Sequence, residues 1–274
     1  MLKLRLISSA VILPPIFGAI WFGGIFFYGL LSLVGALMLL ELSNLIGIRR
    51  LWLKAVFAAS AGLWPFVIEF CETAVVGFFF VSVVLGFWIA SNHIHEAKIR
   101  IIFLITLLLA YTTLLSLIWI RAISGPEGML FVVVVIAGTD IGGYFIGRLI
   151  GGPKLAPQIS PNKTWAGLIG AALTAGVAGA ILALTPLSPF SLEGSNIQTM
   201  TMVTNVATIS VILAAVAQIG DLLESWLKRC CGVKDSGQII PGHGGVLDRV
   251  DGYLTAGPLI ALIILYEKGF FVWP

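Results

Sequence analysis

Nine apolar stretches divide this chain, running from Leu6 to Phe22, Ile25 to Ile46, Ala55 to Phe70, Ala74 to Ala90, Ile101 to Ile120, Met129 to Ile150, Trp165 to Leu184, Met202 to Leu223 and Tyr253 to Phe271. Each has roughly the 17 to 25 residues that match the hydrocarbon thickness of a bilayer. Backbone amides find no water there, so each stretch is predicted to be a helix. Composition agrees. Of 274 residues 59% are hydrophobic and 11% charged, whereas a soluble domain carries roughly 25% charged residues. The expected fold class is an all-α, polytopic integral membrane protein of about nine transmembrane helices with a cytoplasmic N-terminus. Only a Phe-Gly-Gly turn parts the first two stretches, and Pro14-Pro15 should kink the first. Lys3 and Arg5 ahead of it resemble the start of a signal peptide, but no clear small-residue cleavage site follows, so the stretch is expected to remain as a helix.

The cations set the orientation. With the N-terminus inside, Lys3, Arg5, Arg49, Arg50, Lys54, Lys98, Arg100, Arg148, Lys154, Lys163, Lys228, Arg229, Lys234 and Arg249 fall on the cytoplasmic side, and only Arg121 and Lys268 outside. A 14 to 2 division of the 16 cations is a strong positive-inside signal. The same face suits anionic headgroups or a phosphorylated cytosolic ligand. The chain is expected to divide into helices 1–4 (residues 1–100) and a second transmembrane region (residues 101–274) holding helices 5–9 and cytoplasmic loops at 148–165 and 224–252. Cys71, Cys230 and Cys231 lack metal-ligand spacing, and His93-x-His95 has no third ligand nearby.

Polar chemistry is concentrated late in the chain. A carboxylate inside a span costs several kcal/mol unless it faces a partner or a wet cavity, so such residues are functional candidates. Glu41 stands alone beside Ser43 and Asn44 near a span end, where a structural hydrogen bond between helices is at least as good a reading as catalysis. Asp221, Glu224, Ser225 and Lys228 stand at i, i+3, i+4 and i+7, on one helical face. Glu224 to Lys228 is in itself an ordinary i, i+4 pair. A second acidic pair, Asp248 and Asp251, opens the last span, and the short connection between can bring the two helix ends together. Clustered carboxylates without Cys or His suit magnesium or a similar hard ion. Gly242, Gly244 and Gly245 around His243 allow an anion-binding nest of backbone amides, with Lys228, Arg229, Lys234 and Arg249 beside it. Acid for metal, and glycine and cation for phosphate, read as metal-assisted chemistry on a phosphoanhydride. Ser160-Pro161-Asn162-Lys163-Thr164 is a candidate phosphate clamp without the spacing of a Walker loop, and Asp140 lies in the glycine-rich sixth span.

Together these residues resemble the phosphatidate cytidylyltransferases, also called CDP-diacylglycerol synthases. The resemblance runs through Ser225-x-Leu227-Lys228-Arg229, Lys234-Asp235-x-Gly237 and Ile240-Pro241-x-His243-Gly244-Gly245-Val246-x-Asp248-Arg249-Val250-Asp251, with Gly220-Asp221-x-x-Glu224 ahead of it. The segment Asp140-x-x-x-Tyr144-x-x-Gly147-Arg148 and the Ser-Pro-x-Lys-Thr loop are also similar; Ala166, where a polar residue is more usual, is a small departure. The first hundred residues resemble the family only in hydropathy.

The resemblance implies CMP transfer from CTP to phosphatidic acid, giving CDP-diacylglycerol and pyrophosphate, with Mg2+ and room for a second ion. Asp221, Asp248, Glu224 and Asp251 would hold metal, and Asp221, Asp248, Asp251, Lys228 and His243 would serve catalysis. Ser160, Lys163, Thr164, Arg229, Lys234, Gly244, Gly245 and Arg249 would bind CTP phosphates, with Asp140, Ser225 and Asp235 supporting. His243 fits a hydrogen-bond donor to phosphate better than an acid for the leaving group. The expected partners are CTP and membrane phosphatidic acid, with no nucleic acid and with homodimerisation open to the chain. The expected location is a bacterial inner membrane, site toward the cytoplasm. Two other classes stay open: a secondary transporter, since Gly-Asp pairs interrupt two spans, and a CTP-dependent membrane lipid kinase.

Overall fold

A computed structural model describes residues 2–185, 187 and 196–266. It is an all-α bundle with one small hairpin. The helices are α1 (Leu2–Phe22), α2 (Gly24–Leu45), α3 (Leu51–Phe70), α4 (Val75–His93), α5 (Ala97–Ile150), α6 (Trp165–Ala183), α7 (Asn196–Cys230), the single turn α8 (Leu247–Val250) and α9 (Tyr253–Tyr266). Among the described residues six helices are long and apolar enough to cross a membrane. The chain is an integral membrane protein. Lys268 and the end of the ninth predicted stretch lie outside the described residues.

The predicted break at Phe-Gly-Gly is present: Gly23, with φ +67°, separates α1 from α2. The helix assignment of α1 runs unbroken through Pro14 and Pro15. Two predicted stretches merge into α5, whose 54 residues are interrupted at Gly125 (φ 66°, ψ −170°), followed by Pro126. That interruption is a reversal. Thr113 donates to the carbonyl of Leu254 at 3.2 Å, and Ile136 packs against Gly252. Along one straight helix those two residues would stand about 34 Å apart, yet they meet the same turn of chain. The first arm (97–124) and second arm (126–150) therefore fold back on each other, with α9 against both.

Glycine governs the packing of the second arm on α6. A methyl at Gly142 would overlap Thr174 and approach the Gly170 carbonyl to 2.6 Å, and one at Gly167 would lie 2.9 Å from the Gly143 carbonyl. Thr174 Oγ1 donates to the Gly138 carbonyl at 2.8 Å. Small residues allow such backbone approach, which stabilises helix pairs in lipid through dispersion and hydrogen bonds. Gly142→Ala should cost about 1–3 kcal/mol by overpacking, read as a lower unfolding temperature in detergent. Further toward the N-terminus, Trp64, Tyr111, Phe78 and Phe79 form an aromatic core in which Trp64 Nε1 donates to the Tyr111 carbonyl at 3.1 Å.

The predicted loop at 148–165 contains an antiparallel hairpin, β1 (Lys154–Ala156) and β2 (Ser160–Thr164), with Lys154 opposite Thr164 and Ala156 opposite Ser160. Thr164 then caps α6, its Oγ1 accepting from the Gly167 amide at 3.0 Å. At the far end of α7, Gly232 (φ 73°) ends the helix in the left-handed region, and the Val233 amide returns to the Lys228 carbonyl at 3.0 Å. Hairpin and loop thus converge on the end of α7.

Candidate active site

Two lysines organise the polar residues at this end of the bundle. Lys163, delivered by β2, meets Asp221 of α7 at 2.7 Å. Lys228, almost two turns further along α7, lies 2.6 Å from both Glu224 and Asp248. The seven-residue spacing of Asp221 and Lys228 holds both on one face, so the helix carries two charge clusters in line.

The Lys163 cluster lines a cavity of about 690 Å3 among the second arm of α5, the hairpin, α6 and α7. Asp140, Tyr144, Arg148, Lys154, Lys163 and Asp221 supply its chemistry. Exposed Phe145, Leu149, Ile150, Trp165 and Ile169 stand on the neighbouring faces, so the cavity borders the lipid-facing surface. Asp251, at the foot of α9, is within electrostatic range of Asp221 and Asp140. Burial first, and then those two carboxylates, push its carboxyl above the usual range. Three acids thus share the single direct ion pair from Lys163.

The Lys228 cluster is built differently. Asp248 accepts from Lys228 and from the amides of Ser236 (3.0 Å) and Gly245 (2.8 Å), so both of its oxygens are engaged. Burial alone would push Asp248 up; the Lys228 ammonium and the two amides outweigh it and hold the carboxyl below the usual carboxylate range. This stabilisation is fully present above about pH 4, the ordinary carboxylate value, and is lost as pH falls through the lower folded value. Acid unfolding in detergent should therefore show a loss of stability below about pH 4 that is blunted in Asp248→Asn. Glu224 is fully buried. Its Oε2 meets Lys228, leaving Oε1 without a hydrogen-bond partner.

Between these clusters and α2 lies the 236–247 loop. Glu41, fully buried on α2, accepts from Ser236 Oγ at 2.9 Å, the Val246 amide at 2.9 Å and the Leu247 amide at 2.8 Å. A second cavity, of about 700 Å3, opens on the loop's other side and is lined by Lys234, Asp235, His243, Gly244 and Arg249 among others. The two cavities share no lining residue. Arg249 lies between them in effect, lining the second while remaining in electrostatic range of Asp140 in the first.

The sequence profile described as "Cytidylyltransferase family" matches residues 3–266. The chain belongs to the cytidylyltransferase family. Among its relatives, the phosphatidate cytidylyltransferase of Brucella suis biovar 1 (strain 1330) is 46% identical over 138 residues, 50% of this chain and 47% of the relative. Proteins of the same name from Haemophilus influenzae (42% over 138 residues, 50% and 46% covered) and Staphylococcus saprophyticus (42% over 142 residues, 52% and 50%) are also similar. The chain spans about half the length of the curated relatives it matches.

In this cytidylyltransferase-family protein the predicted acids form two sets rather than one. Asp221 and Asp251 join Asp140, while Glu224 and Asp248 enclose Lys228. Among the described residues no three of His, Cys, Asp and Glu form a ready metal group. Lys228 stands between Glu224 and Asp248, and Lys163 is paired with Asp221. The donor chemistry nonetheless fits a divalent ion, because Asp140, Asp221 and Asp251 share one paired ammonium and Glu224 Oε1 is a buried oxygen with no partner.

The expected amide nest is internally engaged: the His243 and Gly244 amides donate to the Ile240 carbonyl, and Gly245 donates to Asp248. Gly242 and Gly244 instead supply positive φ for the tight turn. His243 faces α1, with Nδ1 2.9 Å from Ser8 Oγ and Nε2 3.4 Å from Ser9 Oγ. Arg229 donates to the carbonyls of Ile159 and Val233, tying the hairpin to the end of α7. Ser225 donates to Asp221 at 3.3 Å, Ser160 sits in the hairpin register, and Asp235 is exposed on the second cavity.

Sequence reasoning left out Ser236, Gln218, Arg148 and Lys154 as site residues, and left Glu41 open. Gln218 had a visible signal, a polar side chain one turn before Asp221 in an apolar span. Ser236 had none, since its role depends on meeting a carboxylate 195 residues away.

Proposed function

We propose that this chain is a phosphatidate cytidylyltransferase of a bacterial inner membrane, with its site toward the cytoplasm and a divalent metal, Mg2+ in the first instance, as cofactor. The observation that carries this reading is the first cavity: acids and cations face one another in a pocket that borders both the lipid-facing helices and the polar hairpin. Such a site suits one amphiphilic and one soluble substrate.

In the reaction a phosphate oxygen of phosphatidic acid attacks the α-phosphorus of CTP, the bond from that phosphorus to the bridging oxygen breaks, and pyrophosphate leaves. The nucleophile is already anionic near neutral pH, so the protein needs no strong base. Its own residues bind and align two polyanions. Lys163, Arg148 and Lys154 offer positive charge in the first cavity, and Lys234 and Arg249 in the second. Lys228, held between Glu224 and Asp248, fixes Asp248. Asp140, Asp221 and Asp251, with Glu224 adjacent, are the residues that would hold the metal; when bound, it neutralises phosphate charge and polarises the phosphoryl group. Asp248 acts as the loop's clamp, since its oxygens are already taken.

The test supplies labelled CTP, phosphatidic acid and Mg2+ to purified protein and follows pyrophosphate and lipid together. Equal amounts of pyrophosphate and cytidylated lipid are expected. Release of CDP with phosphorylated lipid would identify a kinase instead, and no chemistry on either substrate would favour a transporter.

A further inference from the structure

We infer that Glu41 is a positioning residue for the transfer reaction, coupling the N-terminal helices to the catalytic loop. The inference rests on the function proposed above. Glu41 belongs to α2, far in sequence from every charged site residue, yet its two oxygens take all three donors that the loop directs at α2: Ser236 Oγ, Val246 N and Leu247 N. Those donors flank the groups that hold Asp248. The Ser236 amide and the Gly245 amide both end on Asp248, and Asp248 in turn holds Lys228. A chain of direct contacts thus runs from α2 through the loop to the Lys228 ammonium, which α7 carries in line with Asp221.

Two glycines of the polar signature gain a physical reason from the same contact. A Cβ on Gly237 would stand 2.5 Å from Glu41 Oε1 and 2.9 Å from its Cδ, and one on Gly245 would stand 2.1 Å from Ser236 Oγ and 2.6 Å from Glu41 Oε2. Neither glycine has positive φ, so it is proximity to Glu41 and to the Ser236 hydroxyl bonded to it, rather than backbone conformation, that excludes a side chain there. A buried carboxylate that only joined two helices would need neither the loop's amides nor two bare positions around it.

Glu41→Gln keeps the volume but replaces one acceptor by a donor aimed at a donor. Its kcat should fall at least tenfold, with the KM for CTP within threefold of wild type and the unfolding temperature in detergent within a few degrees. Gly237→Ala should lose activity, and Glu41→Asp, by withdrawing the carboxylate one methylene, should restore part of it, so that the double variant exceeds Gly237→Ala alone. Retention of more than half of kcat in Glu41→Gln, activity lost only in proportion to folded protein, or additive effects in the pair would each overturn the inference. Hydrogen exchange of the 236–247 segment answers separately from turnover: protection should drop in Glu41→Gln, and unchanged protection would again overturn it. A wild-type protein that transfers no CMP would defeat the proposed function, while the exchange result still decides the role of Glu41 in holding the loop.

Discussion

Lys228→Met is expected to destabilise the folded protein by about 3–5 kcal/mol and to abolish CMP transfer. Methionine matches the lysine stem in length and carries no charge. It would leave fully buried Glu224 and nearly buried Asp248, both now 2.6 Å from the ammonium, without a cation. Breaking a buried ion pair from one side is far more damaging than replacing all of it, because desolvated charge is left uncompensated. The companion variant Lys228→Met with Glu224→Gln and Asp248→Asn should therefore regain much of the unfolding temperature while remaining inactive. Thermal unfolding in detergent and pyrophosphate release check both halves. An unfolding temperature unchanged in the single variant would mean that this triad is solvated and that the clamp does not hold the loop.

Asp221→Asn should behave in the opposite way, with turnover falling by roughly 100- to 1,000-fold, the scale for losing one electrostatic stabiliser of a transition state, and stability preserved or raised. Asp221 shares the neighbourhood of Asp140 and Asp251, so its charge is opposed by like charges and matched directly only by Lys163. Removing it relieves repulsion, and function carries the cost, as in sites where activity demands a destabilising arrangement. Titration with Mg2+ should show a weaker requirement curve, shifted to higher metal concentration. Full turnover in a folded Asp221→Asn protein would remove this residue from the proposed metal set.

Fold class was legible because a bilayer imposes one rule on every long apolar stretch, and the two arms of α5 read as separate stretches, Ile101 to Ile120 and Met129 to Ile150. The hairpin at 154–164 was not, since three- and five-residue strands leave too little alternation to read against a loop. In the site, the face shared by Asp221, Glu224 and Lys228 followed from helical spacing alone. What spacing could not say was where Lys163 would land. It approaches from another element and pairs with Asp221, while Lys228 pairs with Glu224 and Asp248, so the acids are matched to two different ammonium groups. The glycines around His243 misled for a related reason. Glycine marks a place where backbone comes close to something, and within the protein Gly244 approaches Asp248 and Gly245 approaches Ser236 and Glu41. Glu41 itself was visible as an intramembrane carboxylate, but its partners belong to the other end of the chain.

The position of Asp140 has a consequence for how the two reactants arrive. Counted back from Ile150, it sits ten residues, or about 15 Å, down the second arm, and the cavity above it reaches past Tyr144 and Gly147 to Gly151. A carboxylate at that level is costly in hydrocarbon unless water or a partner reaches it, so under the proposed function this cavity would serve as a hydrated inlet beside the helix. Under that reading phosphatidic acid would enter sideways from the bilayer. The nucleotide would make the longer journey, from the aqueous face down toward the level of Asp140.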